Sequence, residues 1–330
     1  MRGLPPAGSA VSTRGRAESE KDAARGFALG ALGVLIFAMT LPMTRLAVGP
    51  ASAPQLPPEF VTAARAALAG LLSLAYLAWL RAARPARTHW TALAVCALGT
   101  VVGFPLFLAL ALRHVDAMHA AVVTGVLPLG TAVAASLYLR QRAGLGFWLC
   151  ALLGCALVLA FAVLQGQGRL TGADGLLLLS VASASVGYVA GAQVSSKLPA
   201  EQVICWVLVF SLPVTVPASV LTWPASVAAV QPSAWFGLAY VTLFSMWLGF
   251  FAWYRGLALG GVMRVSQVQL LQPFLALLFA VPVLGERLDA TTLLFAAAML
   301  AVVYAGKRMP GLQPKPTLNP KPRPVGATSP

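Results

Sequence analysis

Arg65 lies within PPEFVTAARAALAGLLSLAYLAW, a stretch whose one other charge is Glu59 near its start. A guanidinium among Ala and Leu must find an anion or reach water, because an unpaired charge in apolar surroundings is costly. At 100° per residue, Thr62, Ser73 and Tyr76 share the face of Arg65, forming a polar stripe down one helix. A planar, permanently charged fork in such a stripe suits a carboxylate or a phosphate group. Arg65 also stands about 9 Å from the start of the helix, a distance from which it can snorkel to the surface instead. A second set, Ser266, Gln269 and Gln272, recurs at i, i+3 and i+6, with Gln267 off that face. Amides in apolar surroundings need partners, either a bound molecule or another helix. Tyr188 and Gln193 form a third candidate pair. Trp206, Trp247, Trp253 and Tyr254 are weaker candidates, since tryptophans near the ends of apolar helices commonly mark a membrane interface.

The elements that must position these residues follow from composition. The chain has 330 residues, 59% hydrophobic and 10% charged, with mean hydropathy +0.81. A soluble domain carries about 25% charged residues. This chain cannot clothe a globule in polar surface, so its solvent is lipid. Apolar blocks near the roughly 20 residues that cross a bilayer occur at 27–47, 58–80, 90–112, 117–139, 144–165, 175–195, 202–222, 234–257, 262–284 and 290–306. The expected class is an all-α integral membrane protein with ten transmembrane helices. The first block is too long for the core of a signal peptide and reads as a retained helix.

Net charge is +14. With the N-terminus inside, 18 of the 23 Lys and Arg fall in cytoplasmic segments, and Arg45, Arg113, Arg169 and Arg287 fall outside. That bias places both termini in the cytoplasm. No basic face interleaved with aromatics appears, so nucleic acid is not an expected partner. The four cysteines read as small packing residues. His114, Asp116 and His119 read as an external loop rather than a metal site, and no cofactor or metal is expected.

The chain also echoes itself. With Pro128 placed over Pro273, Leu112 falls on Leu257, Met118 on Met263, Val123 on Val268, Leu139 on Leu284 and Arg142 on Arg287. A second echo sets Leu56-Pro57-Pro58-Glu59 against Leu198-Pro199-Ala200-Glu201. A shift of five spans is odd, so the second copy must enter the membrane upside down. The expected organisation is a disordered tail (1–26), a five-helix repeat (27–165), a linker (166–174), an inverted five-helix repeat (175–308) and a Pro-rich disordered tail (309–330). Inverted repeats typify secondary transporters, which bind solute near the midplane.

Gly285-Glu286-Arg287-Leu288, after a proline-bearing apolar helix and before a short last span, resembles the EamA-type transporters of the drug/metabolite transporter superfamily. So does Tyr254-Arg255-Gly256-Leu257-Ala258-Leu259 leading into the ninth span. The resemblance covers about 27–307. It implies a secondary transporter of the cytoplasmic membrane that exports amino acids or related compounds by alternating access. A broad-specificity drug exporter stays open within the class. An integral-membrane enzyme on lipid-linked substrates, or a membrane sensor, stays open outside it. The family commonly carries Arg in the helix of Arg65. The first-half corner Arg140-Gln141-Arg142 departs from the motif. At the second corner Gly285 caps a helix, Asp289 caps the next, and Glu286 and Arg287 form an ion pair. Pro128 and Pro273 bend helices for packing or gating. Expected partners are a small-molecule solute and membrane lipid, with the protein a monomer or homodimer. No acid lies deep in a span, so coupling to protons would fall to Glu59, Glu201 or Glu286, or transport runs downhill.

Overall fold

In lipid a helix alone satisfies its own backbone along a single span. The computed structural model describes residues 8–138, 144–166, 168–195, 198–260, 265 and 268–308, and among these it is helical with no strand. The helices are α1 (Gly8–Ala38), α2 (Thr40–Val48), α3 (Pro58–Trp79), α4 (Trp90–Cys96), α5 (Phe104–Ala111), α6 (Ala117–Thr124), α7 (Leu127–Tyr138), α8 (Leu145–Gln165), α9 (Gly172–Ser195), α10 (Ala200–Leu221), α11 (Pro232–Tyr240), α12 (Gly249–Gly260), α13 (Gln272–Leu284) and α14 (Ala290–Arg308). Two π-helical segments, Ala97–Gly103 and Val241–Leu248, join α4 to α5 and α11 to α12. Eight continuous helical runs among the described residues are long and apolar enough to cross a bilayer, and Val268–Leu284 and Ala290–Gly306 are shorter apolar helices. Helix α1 begins at Gly8, within the expected tail, where the run AESEKDAAR is rich in good helix formers. The tail 309–330 lies outside the described residues.

Proline explains most of the breaks. It has no N–H, so the carbonyl four residues earlier loses its helical donor. Helix α1 ends at Ala38, four residues before Pro42, and α6 ends at Thr124, four residues before Pro128. A 3₁₀ turn, Val268–Leu271, precedes Pro273. The π-helical segment Ala97–Gly103 runs up to Pro105 in the first turn of α5. The segment Val241–Leu248 has no such proline. Under the register of Pro128 over Pro273, it nevertheless falls on Ala97–Gly103, with Thr100 over Ser245.

Helices α3 and α10 pack along their lengths, as do α1 and α12; α9 lies against α4, α5 and α7, and α8 against α14. Close approach of backbones, rather than burial from water, drives such packing in lipid. On α12, a Cβ added at Gly256 would lie 2.6 Å from the nitrogen of Gly30. On α9, one added at Gly187 would lie 2.9 Å from the nitrogen of Thr100.

One end of the bundle is tied by polar contacts among loops 49–57, 112–116 and 285–289 and the first turns of the following helices. The Arg45 guanidinium reaches Asp116 at 3.6 Å and donates to the carbonyl of Leu112. Arg113 Nη2 donates to the carbonyl of Leu56 at 3.0 Å. Gly285 adopts the left-handed conformation, φ 71° and ψ 17°, that ends α13. The expected Glu286–Arg287 ion pair is replaced by a cap. Glu286 accepts the amide protons of Ala117 at 2.7 Å and Met118 at 2.8 Å, because the free N–H groups at the start of α6 lie within its reach. Asp289 accepts the amide proton of Thr292 and caps α14.

Two measurements check this packing and capping. Gly187→Val and Gly256→Leu place side chains into backbone and should destabilise the fold by about 1–3 kcal/mol, the usual cost of overpacking. Gly175→Ala, where a Cβ meets nothing within 4 Å, should leave the melting temperature in detergent unchanged. The Thr292 amide and hydroxyl hold the Asp289 carboxyl below its ordinary value of 3.8. A depressed acid contributes its stability above the unfolded pKa and loses it as pH falls. Asp289→Ala should therefore lower the melting temperature at pH 7, and the gap to the unmutated protein should close below about pH 4.

Candidate functional site

The helix breaks surround a cavity inside the bundle, built as two adjoining lobes. The first lobe, about 440 Å³, is lined by Arg65 of α3, Thr40 and Leu41 of α2, Thr100 and Phe104 at the first π-helical segment, Ser245 and Met246 of the second, and Phe250, Trp253 and Tyr254 of α12. Tyr188 of α9, with Gln269 and Gln272 at the break before α13, completes its wall. The second lobe, about 560 Å³, lies between α6, α7, α13 and α14 and shares Leu41, Phe104, Leu127, Tyr188, Gln269 and Gln272 with the first.

Among the described residues, Arg65 is the only charged one lining either lobe, and it is 3% exposed. Its position follows from α3: Pro57 and Pro58 start the helix, Glu59 stands in the first turn, and Arg65 comes two turns in. Nη2 donates to Ser245 Oγ at 3.4 Å, and Ser245 Oγ shares a 2.8 Å hydrogen bond with Thr40 Oγ1. Among the described residues, Nε and Nη1 are buried without a hydrogen-bond partner. A buried guanidinium with half its fork unpaired beside aromatic walls costs several kcal/mol until an anion completes it. The arrangement can hold one carboxylate or phosphate oxygen pair, and the Phe, Tyr and Trp faces can hold an apolar body beside it.

The polar stripe of α3 divides. Thr62 and Ser73 are buried but do not line the cavity, because α10 packs along that side of α3, with Leu212 over Gly70. Tyr76 joins an aromatic cluster, 5.1 Å from Phe251 and 6.2 Å from Trp247 by ring centroids. Tyr188, Gln269 and Gln272 do line the cavity; Gln193 on α9 does not. Ser266 lies outside the described residues. Pro128 and Pro273 line the second lobe, whereas Gly285, Glu286 and Arg287 stand at the tied end of the bundle, away from it. His119 Nε2 meets Asp174 Oδ1 at 2.7 Å, joining α6 to α9, and among the described residues no cluster of His, Cys, Asp and Glu is fit to hold a metal.

Sequence reasoning missed Thr40, Thr100 and Ser245. A hydroxyl in an apolar helix carries no marker of its own. Only the repeat register, which superposes Thr100 on Ser245, singles out two of the three. Trp253, ranked low as an interfacial tryptophan, is 9% exposed and part of the cavity wall.

The sequence matches the EamA-like transporter family model twice, over residues 24–163 and 171–305. A relative from Bacillus subtilis (strain 168), named the uncharacterized transporter YdeK, is 44% identical over 283 residues, covering 86% of this chain and 97% of its own. A solved crystal structure superposes with a TM-score of 0.57 at 17% identity, over 86% of this chain and 96% of that one, which is a likeness of fold. These matches and the apolar helices make the protein an integral membrane transporter. The chain belongs to the EamA-like transporter family.

Proposed function

We propose that this protein is a secondary carrier that exports a small carboxylate-bearing metabolite, an amino acid or related compound, from the cytoplasm by alternating access. The observation that carries the reading is Arg65: a buried cation, half unpaired, inside a cavity of ligand size. Among the described residues no acid lines the cavity to neutralise it, so the anion comes from the solute.

Ten spans in two inverted five-helix halves, 27–165 and 175–308, fit the alternation of the carrier. Supporting this are the tandem family match, the paired breaks before Pro128 and Pro273, and the two π-helical segments in register. With both termini cytoplasmic, the end tied by Arg45, Arg113 and Glu286 faces outward. Toward the opposite end the cavity wall continues through Ala192, Leu257 and Ala258. In that orientation the cavity extends toward the cytoplasm, the side from which an exporter loads.

Two measurements test the reading. In proteoliposomes, Arg65→Ala should raise the KM for carboxylate solutes by about 30-fold or more, the effect of removing roughly 2 kcal/mol or more from a buried charge pair. Folded yield should stay intact and Arg65→Lys should recover part of the loss; normal flux in Arg65→Ala would remove Arg65 from the site. Reporters fused to the two termini should both register the cytoplasm, and a split result would refute the even number of spans.

A further inference from the structure

The second lobe contains a feature that the anion site leaves unexplained. Helix α6 ends at Thr124, and Gly125 and Val126 form a turn before α7. Pro128 has no N–H to give the carbonyl of Thr124. The amide of Leu129, the ordinary donor to Gly125, bonds instead to the carbonyl of Val126 at 2.9 Å, and that of Gly130 joins it there at 3.0 Å. Among the described residues no donor is paired with the carbonyls of Thr124 and Gly125, although both residues line the cavity. Gly125 has no side chain, so it presents backbone to that space. A buried carbonyl without a donor costs roughly 1–3 kcal/mol. These two also stand at the carbonyl end of α6, where the helix dipole is negative. The hydroxyls nearby do not compete. Thr124 Oγ1 is turned back to the carbonyl of Ala120 at 2.7 Å, and Thr131 Oγ1 to that of Leu127 at 2.9 Å. The rest of the lobe is apolar, with Pro273, Ala276, Met299, Leu300 and Val303, apart from Tyr188, Gln269 and Gln272 on the wall it shares with the first lobe.

We propose that the carbonyls of Thr124 and Gly125 form the subsite for a protonated amine, so that the solute is a zwitterion whose ammonium is held by backbone rather than by an acidic side chain. The assignment rests on the carrier reading above, in which Arg65 holds the carboxylate. It resolves how a cavity with no Asp or Glu among its described lining residues receives a positive group: the bare acceptors are made by a proline, and an N⁺–H donor completes them.

The test uses the full chain in proteoliposomes with four probes of one skeleton: leucine, N-acetylleucine, 4-methylpentanoate and the N,N,N-trimethyl betaine of leucine. Leucine should bind at least tenfold better than the other three, as read from competition constants. The betaine keeps the charge but has no N–H; betaine binding equal to that of leucine would assign the amine to the aromatic walls and overturn the proposal. Pro128→Ala restores an N–H to the carbonyl of Thr124 and should reduce the preference for leucine over 4-methylpentanoate to about threefold or less, with the 4-methylpentanoate constant unchanged. Pro282→Ala, in α13 and outside the cavity wall, should keep the preference. A tenfold preference that survives Pro128→Ala, or no preference in the unmutated protein, overturns the subsite. A sodium requirement for 4-methylpentanoate that Pro128→Ala abolishes would give the carbonyls to an alkali ion and also overturn it. Failure of the carrier reading looks different: the constants for all four probes would be indifferent to Arg65→Ala.

Discussion

Hydrocarbon offers no water to a backbone N–H or C=O, and every such group must find a partner within the protein. The rest of this structure follows from where the chain obeys that constraint and where it departs from it. Along α3, α8 and α9 it obeys, and these helices run unbroken for 21 to 24 residues. The departures, at Met39, at Ala97–Gly103, at Gly125–Val126, at Val241–Leu248 and at Val268–Leu271, gather round one cavity. Irregular backbone at membrane depth persists where it lines a cavity or is covered by protein. The cavity and the breaks therefore account for each other.

The buried cation of α3 adds the second constraint. Arg65 is held by Ser245, which is held by Thr40, so three helical runs meet at one hydrogen-bond chain. Glu286 does comparable work at the rim. It spends both oxygens on the start of α6, and burial pushes its carboxyl above the usual range while the Met118 and Ala117 amides pull it back. Contacts that join distant parts of the chain in this way limit how the bundle can rearrange.

Much of this was legible in the residues. Hydropathy is a one-dimensional property, and lipid-length apolar runs announce their helices directly. Arg65 stood out as the one charge inside a span, and Gly285 and Asp289 as terminators whose chemistry is local. Side-chain partnership is not local. Thr62, Ser73 and Tyr76 share a face with Arg65, but a shared face does not reveal that α10 covers one part of it and an aromatic cluster another. Ser245 and Thr100 were hidden for a related reason. Helical-wheel reasoning assumes 3.6 residues per turn, and both lie where the turn is wider.

That widening fixes a phase. A π-type turn accommodates a surplus residue, and each residue in an α-helix advances the azimuth by 100°. The orientation of α12 relative to α11 therefore depends on the extra residues held in Val241–Leu248, as that of α5 relative to α4 depends on Ala97–Gly103. Excising one amino acid there would remove the widening and reset the phase between the flanking helices. Phe250, Trp253 and Tyr254 hold their places in the chamber wall through that phase. In this chain the count of residues in two short stretches matters as much to recognition as the kinds of residue they contain.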